Sequence, residues 1–171
     1  MNRTLLPLLL LLVGLSSAAN AQQWKEYRPS GEGYRIDFPG TPTEDTRRVQ
    51  THAGTVELRT SAMGLCNQAF IAIRSDYPPT VDLRDPQAAL DRARNGSLVK
   101  AKGTLRSEQR LTIGDAPARH VLIDLPDSNQ LADAIMVMQG HHLVQAVYVG
   151  PNTPRETPDA QRFLSSFALV K

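Results

Sequence analysis

The chain has 171 residues, a formal net charge of +2 and a single cysteine, Cys66. A charge so near balance is not the global signature of a nucleic-acid binder, and one cysteine excludes an intramolecular disulfide. With 41% hydrophobic residues, there is enough apolar material for one globular domain rather than a disordered chain.

The first 21 residues read as a secretory signal peptide. Arg3 supplies the positive start, Leu5–Leu15 is an apolar run too short to cross a bilayer, and Ala19-Asn20-Ala21 offers small residues for cleavage after Ala21. The expected mature product starts at Gln22, carries 18 basic and 17 acidic residues, and is periplasmic or secreted, with no transmembrane anchor after cleavage.

Residues 22–33 form a polar lead-in rich in glycine and proline, with Trp24 and Tyr27 able to pack down on the domain that follows. The domain proper is expected over 34–171. Tyr34-Arg35-Ile36-Asp37-Phe38 alternates apolar and charged residues, the mark of a half-buried strand, and Pro39-Gly40-Thr41-Pro42 stops it. Arg47–His52 and Thr55–Ala62 read as a polar hairpin around Ala53-Gly54, at an edge or a solvated face. Gln68–Tyr77 is a stronger strand, with Ala69, Ile71 and Ile73 on one side and Phe70, Ala72 and Arg74 on the other.

Asp85-Pro86 opens a helix, with a capping carboxylate followed by proline at the first helical position. It ends at Asn95-Gly96 or continues to about Lys102; in the longer form, which we favour, Leu90, Ala93, Ser97 and Ala101 make one stripe. Leu105–Ile113 and Ala116–Leu125 form a hairpin around Gly114-Asp115. Leu131–Val149 forms another around Gly140-His141, apolar on both faces and therefore central in the sheet. A last helix begins at Thr157-Pro158, with Ala160, Phe163, Leu164 and Phe167 on one side. Two-residue turns imply antiparallel neighbours. The order implies an α+β domain: a mainly antiparallel twisted β-sheet covered by two helices.

Three stretches carry a resemblance to a known family: the strand and proline stop Tyr34–Pro42, the turn Ile113-Gly114-Asp115-Ala116-Pro117-Ala118-Arg119, and the closing Arg162-Phe163-Leu164-Ser165-Ser166-Phe167. With the element order, they make the chain resemble the PsbP-like superfamily, including its DcrB-like bacterial periplasmic members. The resemblance implies an α/β sandwich with a binding or accessory role and no catalytic motif to carry over. Fold alone does not fix function.

Motif by motif, catalytic chemistry finds no support. There is no GxSxG or SxxK, no phosphate-cradling loop and no HExxH. His52, His120, His141 and His142 lack zinc-site spacing, and no metal or cofactor is expected. His120, alternating with Leu122, fits a half-buried structural histidine. Cys66 is expected as a buried small hydrophobe, with an exposed thiol as the alternative. Asp82, Asp85, Asp124, Asp127 and Asp133 read as solvated loop acids.

The most distinctive feature is basic. Arg92, Arg94, Lys100, Lys102, Arg106 and Arg110 fall within 19 residues that contain one acid, Glu108. A solvated face and a guarded strand edge would account for them. So would a patch for an anionic partner, whether an acidic protein or lipid headgroups. The expectation is an exported, non-catalytic binding module of the bacterial cell envelope whose partner is another envelope protein, as for a chaperone, an immunity protein or an accessory subunit. The alternative is a lipid or small-molecule carrier with a pocket between helix and sheet lined by Met136, Met138 and Tyr148, taken to share a face. A hydrolase or redox enzyme ranks last.

Overall fold

The computed structural model of the chain describes residues 23–51, 54–153 and 157–170. The expected signal peptide, the turn residues His52 and Ala53, and Pro154 lie outside them. Strands β1 (Lys25–Tyr27), β2 (Tyr34–Phe38), β3 (Thr43–Thr51), β4 (Gly54–Leu65) and β5 (Gln68–Asp76) come first. Helix α1 (Pro86–Ala101) precedes β6 (Thr104–Ile113), β7 (Ala116–Leu125), β8 (Gln130–Gln139) and β9 (His142–Pro151). Helix α2 (Pro158–Ser166) and β10 (Ala168–Leu169) close the chain.

Seven strands form one antiparallel sheet in the order β3-β4-β5-β9-β8-β7-β6. The β8–β9 hairpin is thus interior, as its two-sided apolar pattern requires. A small second sheet, β1-β2-β10, is hydrogen-bonded separately from it. This is the expected α+β architecture with two added strands, β1 and β10, which flank β2. The lead-in contains a strand, β1, which pairs with β2 from Lys25↔Phe38 to Tyr27↔Ile36.

The large sheet buries its two faces differently. On one face, Phe70, Ala72, Ala118, Val137, Val144, Ala146 and Tyr148 pack with the small sheet and with Ala160, Phe163, Leu164 and Phe167. Phe70 is the hub, edge-on to Trp24, Tyr148 and Phe163 at centroid distances of 5.6, 5.4 and 5.4 Å. Tyr27 ties the small sheet down: its hydroxyl donates to Glu44 at 2.6 Å and lies 2.8 Å from the buried Ser61 hydroxyl. On the other face, Ala89 and Leu90 of α1 pack on Val121, Ile123, Ala132, Met136, Met138 and Leu143.

Helix α1 takes the longer form. Asp85 caps its start by accepting from the Gln87 and Ala88 amides at 2.9 and 3.0 Å. Asn95-Gly96 lies mid-helix, and the left-handed residue is Lys102 at φ 50°. Gly103 follows because a β-carbon there would sit 2.4 Å from Ile123 and 3.0 Å from the Asp124 carbonyl. The expected stripe holds at Leu90 and fails at Ala101, which is exposed.

Two further expectations are corrected here. Met136 lies opposite Gln145, and Tyr148 lies opposite Asp133. Met136 and Met138 therefore pack under α1, whereas Tyr148 packs on the opposite face. The three line no common pocket, because directly opposite residues share a face and Met136 and Tyr148 differ in parity. Cys66 is exposed, not buried; it occupies a left-handed position (φ 49°) in the turn joining β4 to β5.

Candidate functional site

The basic run divides into inward and outward members. Arg94 is inward: its guanidinium bonds Glu108 and lies 3.4 Å from Asp91. Beneath it Arg119, with a side chain 2% exposed, reaches Glu108 at 2.6 Å, Asp91 at 2.9 Å and the Gln87 side-chain oxygen at 2.8 Å. Arg119 shares a sheet face with Val121 and Ile123, so it lies under α1 and needs this full complement of acceptors. Arg106, at an irregularity in the β6–β7 register, bonds Asp124 and the Asn152 side chain. Arg92, Lys100, Lys102 and Arg110 are exposed; of these, Arg92 makes only a long 3.5 Å contact, to the Asp82 carbonyl.

Glu108 therefore offers its negative charge inward. The outward cations keep a net positive surface on α1 and the edge strand β6.

Beside α1 the sheet is incompletely covered. The helix packs mainly on β7 and β8. On that same face, Ala62 of β4 lies beside Ile71 of β5 and then Val147 of β9, with Thr60, Ile73 and Gln145 in the next row. Leu58, Ala62, Ile71 and Ile73 are half-buried and join neither core cluster. Val49 of β3 is 40% exposed and lies opposite Val56. Helical geometry at 100° per residue puts Gln87, Asp91 and Arg94 on the β6 flank of α1 and Ala89, Ala93 and Lys100 on the β9 flank. An apolar floor thus runs beside a helix flank of small residues and a lysine.

The other polar groups form pairs rather than a reactive constellation. Asp133 is 4% exposed and bonds His120 Nε2 at 2.6 Å. This half-buried histidine and its carboxylate are a strand-to-strand pair, so Asp133 is not a solvated loop acid. Asp82 holds Arg84 at 2.6 Å and Asp85 is spent as the α1 cap. At the far end of β5, Asp76 bonds Arg74 at 2.7 Å and His142 Nδ1 at 2.6 Å. Burial opposes ionisation of Asp76, but its hydrogen bonds from Arg74 and His142 outweigh burial and hold the carboxyl below its usual range. Among the described residues, no three His, Cys, Asp or Glu side chains converge as a metal-holding group.

Two concavities stand out. One, of about 480 Å³, is lined by Asp82, Arg84, Asp85 and Arg92. The other, of about 360 Å³, lies where the β6–β7 and β8–β9 turns meet Leu169 and Val170. Met138 reaches this second groove, while Met136 and Tyr148 do not line it.

Sequence reasoning grouped all six cations as one patch and did not separate Arg94 and Arg106, which bond Glu108 and Asp124, from the four others. It missed Arg119 and Asp133 as buried partners and missed the open sheet face. Parity offered a signal for the two residues only: Arg119 alternates with Val121 and Ile123, and Asp133 interrupts an apolar run in a central strand.

No family model matches the chain, and no curated protein matches it. Among solved structures it is similar to the solution structure of cyanobacterial PsbP (CyanoP) from Synechocystis sp. PCC 6803. The TM-score is 0.57 at 12% identity, over 92% of this chain and 98% of that one. A Pseudomonas aeruginosa protein of unknown function aligns over 81% of this chain and 85% of its own, with 10% identity and a TM-score of 0.36. The fold is PsbP-like. Among the described residues, no helix is long and apolar enough to cross a membrane.

Proposed function

We propose that this chain is an exported, non-catalytic docking module of the cell envelope, and that an acidic partner protein seats on the sheet face beside α1. The observation that carries the reading is the stripe Leu58, Ala62, Ile71 and Ile73, apolar yet only half-buried and outside both core clusters. Apolar surface left beside a core is stabilised when a partner removes it from water. The bordering cations Arg92 and Lys100, with Lys102 and Arg110 further round, give the partner its sign, because complementary charge steers encounter and rejects wrong partners.

The proposed division of labour is simple. Apolar contact on β4 and β5 supplies the affinity, and the outward cations supply the approach rate. Arg94 and Arg119 hold α1 in place and touch no partner. Replacing Arg92, Lys100, Lys102 and Arg110 by Gln should slow association and flatten its salt dependence, leaving the fold intact. Association with unchanged rate and unchanged salt dependence would refute the electrostatic half of the proposal. Ile73→Glu should weaken binding at every salt concentration.

A further inference from the structure

We infer that β3 is a homodimerisation edge, where two copies of the chain pair antiparallel about a two-fold axis through Thr46. β3 is an outer strand of the large sheet, and Thr43–Gln50 are all exposed. It pairs with β4 in one unbroken register from Thr43↔Ala62 to Thr51↔Gly54. Its outer edge thus presents a regular row of backbone donors and acceptors. The opposite outer strand differs. β6 carries a register irregularity between Leu105 and Ser107, the kind of break that re-aims an edge and ends pairing.

Charges on an edge strand ordinarily deter pairing. Those of β3 are arranged so that they accept one partner, the same strand reversed. The sequence Glu44-Asp45-Thr46-Arg47-Arg48 is two acids, a neutral centre and two bases. With Thr46 opposite Thr46 of a second copy, each Asp45 faces an Arg47 and each Glu44 faces an Arg48. That makes four opposite-charge pairs, on both faces of the joined sheet. Thr43 then faces Val49, so the half-exposed valine is covered by a threonine methyl.

Neighbouring registers are worse. Centring on Arg47 sets two arginines against each other, and centring on Asp45 sets two aspartates together. A centre between Thr46 and Arg47 keeps only the Asp45–Arg48 pairs. The charges therefore specify register and partner, while backbone hydrogen bonds supply cohesion.

Within one copy Arg47 Nε already bonds Asp45, so at the seam that pair extends to the second copy through the Arg47 terminal nitrogens and the other Asp45 oxygen. Arg47 and Arg48 are 76% and 75% exposed and Asp45 is 52% exposed. Arg48 uses only its Nε toward Glu57, at 3.2 Å, and Glu44 gives one carboxylate oxygen to Tyr27. The Arg48 terminal nitrogens and the second Glu44 oxygen remain for the partner strand. The joined object would be a continuous sheet of fourteen strands.

The test uses sedimentation equilibrium of the mature chain under reducing conditions, so that the exposed Cys66 cannot link copies. The wild type should form a reversible dimer that weakens as salt is raised. Asp45→Arg alone places arginine against arginine, and Arg47→Asp alone places aspartate against aspartate. Each should self-associate about a hundredfold more weakly, with unchanged circular dichroism. Mixed in equal amounts they should form a heterodimer, because the two defects are complementary. In a Cys66→Ser background, Thr46→Cys should cross-link to itself on mild oxidation and Thr43→Cys should not, since only a residue on the axis faces its own copy. Wild type that stays monomeric at about millimolar concentration, single variants that dimerise as well as wild type, or a mixture that does not associate would each overturn the proposal.

Discussion

Arg119 donates to Glu108 at 2.6 Å from a side chain only 2% exposed, and Arg94 bonds the same carboxylate from above. The one acid within the basic run is thereby held under α1. This fixes the helix on the sheet and turns the charge of Glu108 away from the exposed Lys100, Lys102 and Arg110.

Removing the buried guanidinium should therefore be costly. Arg119→Met keeps volume but leaves Asp91 and Glu108 with fewer donors in a half-buried place. Loss of one partner from such a network costs about 3–5 kcal/mol when fully buried, and the exposure of Asp91 (41%) puts the expected loss nearer the lower end. A urea-unfolding midpoint that barely moves would show that the apolar contacts of Ala89 and Leu90, with the Arg94–Glu108 bond, suffice to hold α1.

Tyr27 gives a prediction with a sign. Burial first, then the hydrogen bond to Glu44, pushes its hydroxyl up to about 12. Burial also raises Tyr34, Tyr77 and Tyr148. A folded state that holds a proton more tightly than the unfolded chain is stabilised below the unfolded value, near pH 10, and loses that stabilisation as pH rises toward 12. Stability should fall across that window, and Tyr27→Phe should fall less steeply. Urea midpoints between pH 8 and about pH 11.5 measure both slopes. Asp76 acts at the other extreme: its lowered value stabilises the fold above about pH 4 and is lost as pH falls below that.

Gly150 tests how tightly Tyr148 is folded back. A β-carbon at Gly150 would lie 2.2 Å from the Tyr148 hydroxyl and 2.5 Å from the ring carbon that bears it. The ring is pinned against Phe70, and its hydroxyl accepts from Thr157 at the start of α2. Gly150→Ala should destabilise by about 1–3 kcal/mol through overpacking. Tyr148→Leu in the same chain should make the alanine nearly neutral. Thermal denaturation of the four chains reads the coupling.

Adjacent residues of β5 should separate stability from binding. Phe70 is fully buried at the hub of the aromatic cluster, so Phe70→Ala should cost about 3–5 kcal/mol. Ile71 faces the uncovered side, so Ile71→Ser should cost about 1 kcal/mol or slightly more and act mainly on partner association. Equal losses of stability at the two positions would mean the stripe is ordinary core.

Much of this architecture is readable from local chemistry. The Asp85-Pro86 and Thr157-Pro158 helix starts, the Gly114-Asp115 and Gly140-His141 turns, and the period-two strands all rest on backbone preferences that need no tertiary information. β1 and β10 were not legible. They are three and two residues long, too short for a period, and exist only because β2 offers both its edges. The Met136, Met138 and Tyr148 pocket failed for a different reason. The Gly140-His141 turn sets Gln139 against His142, which already fixes Met136 opposite Gln145 and Tyr148 on the other face. That arithmetic was available in the sequence and outranked shared apolar character. The open face on β4 and β5 was not legible, because alternation shows that Ile71 and Ile73 share a side but not whether a helix reaches over them.

The most direct test of docking beside α1 is site-specific photocross-linking in the native envelope, with the probe at Ile73 and a control probe at Leu111 on the opposite face. Docking on the sheet predicts one discrete adduct from position 73, an acidic protein, that fades when Arg92, Lys100, Lys102 and Arg110 are replaced by Gln, and none from position 111. The same adducts from both positions, or an adduct at 73 indifferent to those four cations, would contradict it.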